Sequence, residues 1–168
     1  MHIARLFLGL LATIILAPWA TPAMADPPPD YDFVSYDEGL RIAAKESKPI
    51  FVYFGRYGCP WCDWTNKESF SDVELHKLYT RDFVLVYVDA ESGKRLKLPS
   101  GERITEAELG VRFKAFASPL FVYLDSTGKE IFKAPGFKTV EDFRDFDRFV
   151  VGGHYKTKKI TEFLGSKS

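Results

Sequence analysis

Two cysteines in 168 residues, Cys59 and Cys62, lie three positions apart in Cys59-Pro60-Trp61-Cys62. On a helix that spacing is about one turn and brings the Cβ atoms roughly 5–6 Å apart, within reach of a disulfide. Pro60 suits the first helical turn, where a missing N–H costs nothing. A sulfur at a helix start faces unsatisfied N–H groups and the positive end of the dipole, which favours its thiolate. Cys59 is therefore the candidate nucleophile, with an exposed sulfur, and Cys62, one turn in, the resolving thiol. The chemistry available is exchange of thiols with a disulfide.

Other uses of the pair remain open. A structural disulfide closing so short a loop restrains the unfolded chain little. Zinc takes four ligands, and beyond the pair the chain after residue 25 offers only His76 and His154, so no metal or other cofactor is expected. Haem attachment needs His directly after the second cysteine, where Asp63 stands. The 23 basic and 23 acidic side chains give zero formal charge. That leaves no basic excess for nucleic acid.

The elements around the pair read as alternating helices and strands. Ile50–Phe54 is an apolar run of strand length directly before the cysteines, suited to a strand buried on both faces. Helices are expected at Tyr36–Ser47, Asp63–Glu68, Ser71–Tyr79, from the Thr105/Glu108 capping-box spacing to Phe113, at Val140–Val151 and at Thr157–Leu164. Phe83–Val88 reads as a second strand. Leu120–Leu124 and Glu130–Lys133, joined by Asp125-Ser126-Thr127-Gly128, read as a hairpin. The polar stretch 89–103 reads as a small excursion or hairpin around Leu96-Lys97-Leu98. The order implies an α/β domain with helices on both faces of one sheet.

At the N-terminus, Arg5, the apolar run Leu6–Ala17, Pro18 and Ala23-Met24-Ala25 have the form of an export signal over residues 1–25. The run is well below the ~18 or more residues of a membrane span. A single mature domain from residue 26 to 168 is expected, without stable membrane insertion, preceded by an extended Pro-rich leader at 26–30.

Taken together, the strand from Pro49 to Phe54, the Cys59–Cys62 turn, Ser118-Pro119 before Leu120–Leu124, the Gly128 hairpin and Gly136 before the last long helix resemble the thioredoxin superfamily over nearly the whole mature chain. The segment from Pro135-Gly136-Phe137 through Val151-Gly152-Gly153-His154-Tyr155-Lys156 to Phe163-Leu164 is most similar to exported thioredoxins of the SoxW type, associated with bacterial sulfur oxidation. The resemblance implies a thioredoxin fold with a central mixed sheet, and Cys59 and Cys62 as catalytic redox disulfide. It implies that Pro119 is a cis-proline packed opposite them, with the backbone of Ser118 left to pair with an extended substrate. Tyr57, Pro60 and Trp61 are expected to complete the substrate-binding rim, Tyr57 and Trp61 either as contact area or as packing on the domain.

The implied activity is that of a periplasmic thiol:disulfide oxidoreductase reducing disulfides of exported proteins, in a sulfur-oxidation or cytochrome-maturation pathway, supplied by a membrane electron donor of the DsbD or CcdA kind. A disulfide oxidase or isomerase, and a non-catalytic module with a closed disulfide, are the alternatives. Two positions depart from the family pattern. Tyr53 stands where many thioredoxins carry a buried acid, leaving Glu68 or a water to accept the proton of Cys62. The approach Phe113–Pro119 is longer than usual, either extending the substrate-facing surface or repacking as a loop.

Overall fold

The computed structural model describes residues 27, 28 and 30–166; the expected export signal lies outside the described residues. Four strands form the main sheet: β1 (Ile50–Gly55), β2 (Val84–Asp89), β5 (Leu120–Leu124) and β6 (Glu130–Pro135), with β3 (Arg95–Lys97) and β4 (Arg103–Thr105) paired apart from it. The order is β2-β1-β5-β6. β1 runs parallel to β2 and antiparallel to β5, which is antiparallel to β6, so the sheet is mixed.

Strand alternation sorts the core by chemistry, because successive side chains face opposite sides. One face carries Phe51, Tyr53, Phe121, Tyr123 and Phe132, packed with Phe143, Phe146 and Phe149. The other carries Ile50, Val52, Val86, Val122 and Leu124. Helices α3 (Val73–Asp82) and α5 (Val140–Val151) cover the aromatic face through Leu75, Tyr79 and the three phenylalanines. Helices α1 (Tyr36–Glu46) and α4 (Glu106–Phe113) cover the aliphatic face with Tyr36, Ala43 and Leu109. Two buried hydroxyls on the aromatic side are paired, as burial favours: Tyr79 donates to the Phe143 carbonyl at 2.8 Å, and its oxygen lies 2.7 Å from the Tyr123 hydroxyl.

Capping sets the helix starts. Thr105 and Glu108 form the expected reciprocal box, with Thr105 N–H donating to Glu108 Oε2 at 2.6 Å. Thr139 and Asp142 form another at the start of α5. Asp72 accepts from Leu75 N–H at 2.7 Å, so α3 starts at Val73 and runs to Asp82, two residues later than the Ser71 start expected and three beyond Tyr79. Helix α2 spans Pro60–Glu68 and includes the cysteine turn itself, rather than starting at Asp63. After α5 a single 3₁₀ turn at His154–Lys156 precedes α6 (Ile160–Gly165), which begins after the expected Thr157.

The excursion at 89–103 yields the β3–β4 pair, whose Leu96 and Ile104 plug the aliphatic face. The end of the leader and the residues after it pack on the fold. Val34 bridges to Val86 at the open edge of β2, Tyr31 packs edge-on against Phe70 at 5.3 Å, and His76 Nε2 lies 2.7 Å from the Asp30 carbonyl.

Candidate active site

β1 ends at Gly55, and the chain turns through Tyr57 and Gly58 into α2. Gly58 has φ 64°, a left-handed conformation that an L side chain rarely adopts. Cys59 is the N-cap of α2 and Pro60 its first residue. The two cysteines are joined as a disulfide with Cα atoms 5.2 Å apart. The Cys59 sulfur accepts the backbone N–H of Cys62 at 3.1 Å, a hydrogen bond that fills one of the vacant donors of the helix start.

A second element reaches the same sulfur from 59 residues away. The Ser118–Pro119 peptide is cis, as the resemblance implies, and the Ser118 hydroxyl donates to Cys59 Sγ at 3.3 Å. The segment is held in place on both sides: Leu120 pairs with Phe54 of β1, and the Pro119 carbonyl accepts Gly136 N–H at 2.8 Å. Gly136 opens a loop whose shape is fixed by Lys138, which donates through Nζ to the carbonyls of Pro135 and Phe137 at 2.6 and 3.0 Å. Burial of that ammonium lowers its pKa. Ser69, at the end of α2, donates to the Lys138 carbonyl at 2.6 Å, tying α2 to the same loop.

Cys59 is 2% exposed and Cys62 1%. The expectation of an exposed Cys59 sulfur is therefore corrected: as a disulfide, the pair lies one layer below the surface, against the aromatic cluster and beside Pro119, which is also buried. Its surroundings are open. Gly58 and Pro60 are exposed, and Tyr57 and Trp61 are 57% and 60% exposed. Phe116 is 78% exposed, whereas Phe113, three residues earlier, packs on Phe54 and Tyr36. The long approach to Pro119 thus divides into an anchored half and a projecting half. Trp64, which sequence reasoning passed over, is half exposed and sits edge-on to Phe137 at 6.4 Å. Its three-residue spacing from Trp61 along α2 was the available signal.

Tyr53 lies beneath this turn, fully buried, and its hydroxyl donates to Asn66 Oδ1 at 3.2 Å. Burial first, then the neighbouring Tyr87 and Asp63, raises its pKa far above the usual phenol range. It is a hydrogen-bond donor, not a base. Glu68 ends α2 in an exposed position. His76 and His154 are apart, one bonded to Asp30 and the other against the ring of Phe163, and among the described residues no three His, Cys, Asp or Glu side chains come together in a metal-holding group.

Residues 36–150 match the thioredoxin-like domain model, and the chain belongs to that family. The disulfide bond reductase DsbH of Chlamydia pneumoniae is 28% identical over 100 residues, 58% of each chain. Spermatogenesis-associated protein 20 of Homo sapiens is 47% identical over 54 residues, which is 32% of this chain but only 7% of that protein. The chain thus spans a small part of one curated relative and somewhat over half of the other. Among solved structures, a thioredoxin-fold protein from Helicobacter pylori aligns with a TM-score of 0.64 and 26% identity over 73% of this chain and 80% of that one. A thioredoxin from Thermus thermophilus aligns with a TM-score of 0.58 and 25% identity over 71% and 86%. The fold is the thioredoxin fold, and its Cys-x-x-Cys pair occupies the start of α2.

Proposed function

We propose that this protein is a thiol–disulfide oxidoreductase that reduces disulfides in exported proteins through Cys59 and Cys62. The observation that carries the reading is the convergence of the Cys62 N–H and the Ser118 hydroxyl on one sulfur, Cys59 Sγ, at a helix start. Donors aimed at one member of the pair favour charge on that member. In the forward reaction the Cys59 thiolate attacks a substrate disulfide and a mixed disulfide forms. Cys62 then attacks Cys59 Sγ, releasing reduced substrate and leaving the pair oxidised. Tyr57, Pro60, Trp61 and the Ser118-Pro119 segment form the surface that receives the polypeptide.

The signal-like sequence of residues 1–25 supports a periplasmic location, where re-reduction requires electrons from a membrane donor of the DsbD or CcdA kind. The similarity to a disulfide bond reductase supports the reducing direction. The likeness of 135–164 to SoxW-type thioredoxins supports a role in sulfur oxidation or cytochrome maturation.

One observation favours a second reading. The burial of both cysteines suits a non-catalytic thioredoxin-like module whose disulfide stays closed. Reduction separates the two. An oxidoreductase opens in millimolar dithiothreitol while folded and then catalyses insulin reduction. Cys59→Ser abolishes that activity and Cys62→Ser accumulates mixed disulfides. A pair inert to dithiothreitol in the native state, or full activity in Cys59→Ser, would falsify the oxidoreductase reading.

A further inference from the structure

The Lys138 ammonium turns back on its own loop. It donates to the carbonyls of Pro135, Phe137 and Gly136 at 2.6, 3.0 and 3.4 Å, which engages all three donors of the group. A lysine ordinarily keeps its charged end in water, whereas Lys138 is half-buried, and burial lowers its pKa against a partial offset from Asp142 at the start of α5. Withdrawing that charge is unfavourable unless hydrogen bonds replace the lost water, and here the carbonyls of three consecutive residues do so. Carbonyl oxygens gathered this closely repel one another, so the loop keeps its shape while the cation sits among them.

The backbone of the same residue is anchored as well. Ser69, fully buried at the end of α2, donates to the Lys138 carbonyl at 2.6 Å. Gly136 turns the chain at φ 75°, and its N–H reaches the Pro119 carbonyl at 2.8 Å. Phe137 lies edge-on to Trp64, three residues along α2 from Trp61. Loop 135–138 therefore meets both elements that flank the disulfide, α2 and the Ser118-Pro119 segment. The recorded hydrogen bonds of Lys138 all go to the backbone or to Ser69, and none to a sulfur.

We propose that Lys138 is a positioning residue: its ammonium holds loop 135–138 as one wall of the surface that receives the polypeptide, and so sets how well the protein takes protein substrates relative to small disulfides. This rests on the oxidoreductase reading above. Without the cation the three carbonyls turn to water and the loop loosens in the free protein. A polypeptide then has to order the wall as it binds, and that ordering subtracts from its affinity. A small disulfide reaches the sulfur without spanning the loop and does not meet that cost. Loss of binding shared by ground state and transition state raises KM and leaves kcat in place.

The experiment compares Lys138→Met, which keeps the stem and removes the donors, with Lys138→Gln, which keeps a neutral donor. On the folded full-length chain, with dithiothreitol as reductant, saturation kinetics are measured for fluorescein-labelled insulin and for a small aromatic disulfide, and the redox equilibrium with glutathione is followed by mass shift. Lys138→Met is expected to raise KM for insulin by about tenfold, the equilibrium worth of one lost hydrogen-bonded contact, with kcat within about twofold of the parent. Lys138→Gln is expected to fall between the two. Turnover of the small disulfide and the glutathione equilibrium should keep their parental values. A variant that has merely lost folded protein would turn over both substrates more slowly with KM unchanged. An unchanged KM for insulin, or equal losses on the two substrates, would overturn the proposal. No catalysed turnover of either substrate by the parent would instead refute the oxidoreductase reading, and this proposal with it.

Discussion

Replacing Asp147 by Asn should make the protein more stable at alkaline pH and leave it unchanged near pH 4. Asp147 on α5 is 6% exposed, and among the described residues its Oδ1 has no hydrogen-bond partner. Burial, followed by the charge of Asp82 and a hydrogen bond to it, pushes its pKa up from 3.8 to about 7. Asp82 is itself paired with Arg81, whose Nε and Nη2 donate to it at 2.7 and 2.6 Å. The Asp147 carboxyl therefore keeps its proton and donates it toward Asp82, across the contact between α3 and α5. Arg81 and Arg148 oppose the shift without cancelling it.

A group whose pKa is higher folded than unfolded favours the native state fully below the unfolded value and loses that advantage as pH rises to the folded value. The window here runs from about pH 4 to about pH 7, and the gap between those values corresponds to about 4 kcal/mol. That is a large share of a stability of roughly 5–15 kcal/mol. An Asn amide keeps the shape and still donates to Asp82, but cannot ionise in the unfolded chain. Urea titrations from pH 4 to 8.5, with the disulfide kept closed, should show wild type and Asp147→Asn converging at the acid end. Above pH 7 the variant should exceed wild type by up to about 4 kcal/mol. Parallel stability curves across the whole range would refute the shared-proton account.

Two other substitutions probe the substrate rim and the core. Trp61→Ala should lower kcat/KM for insulin several-fold while sparing reduction of a small aromatic disulfide, and should change stability by less than about 0.5 kcal/mol because the ring is mostly in water. Equal losses on both substrates would remove Trp61 from polypeptide binding. Tyr79→Phe strips a buried hydroxyl from between Tyr123 and the Phe143 carbonyl and should cost about 1–3 kcal/mol by urea denaturation. Adding Tyr123→Phe should recover part of that loss, because a second stranded hydroxyl then disappears.

β1, β2 and β5 were legible because each is a short apolar run bounded by turn residues, and two-faced burial requires that pattern. β1 and β5 lie within a residue of the expected bounds. Helix starts were legible where a capping box was spelled out, as at Thr105/Glu108, and displaced where the cap was ambiguous: Ser71 and Asp72 are both good caps, and only the fold shows Asp72 taking the Leu75 N–H. The cysteine pair was legible from local spacing, and the cis-proline only as what the family resemblance implied. Burial of the sulfurs was not, since it depends on how the Ser118-Pro119 segment docks on α2 across 59 residues. The Asp82–Asp147 contact was equally hidden, because no sequence period links residues on two different helices.

The same long-range docking bears on how a nearly buried disulfide would be reached in the proposed exchange. The residues beside Cys59 belong to short loops and a helix end: Gly58 before it, Pro60 after it, and Ser118, whose hydroxyl reaches its sulfur. Local opening is least costly where few apolar contacts are broken, and Phe116, at 78% exposure, has few to lose. Both sulfurs touch the same aromatic cluster, but Cys59 stands at the helix start beside exposed Gly58 and Pro60, whereas Cys62 lies one turn inside α2. A thiol-reactive probe should label Cys59 long before Cys62 in the reduced protein, and labelling of both at one rate would mean that the aromatic cluster opens with the site.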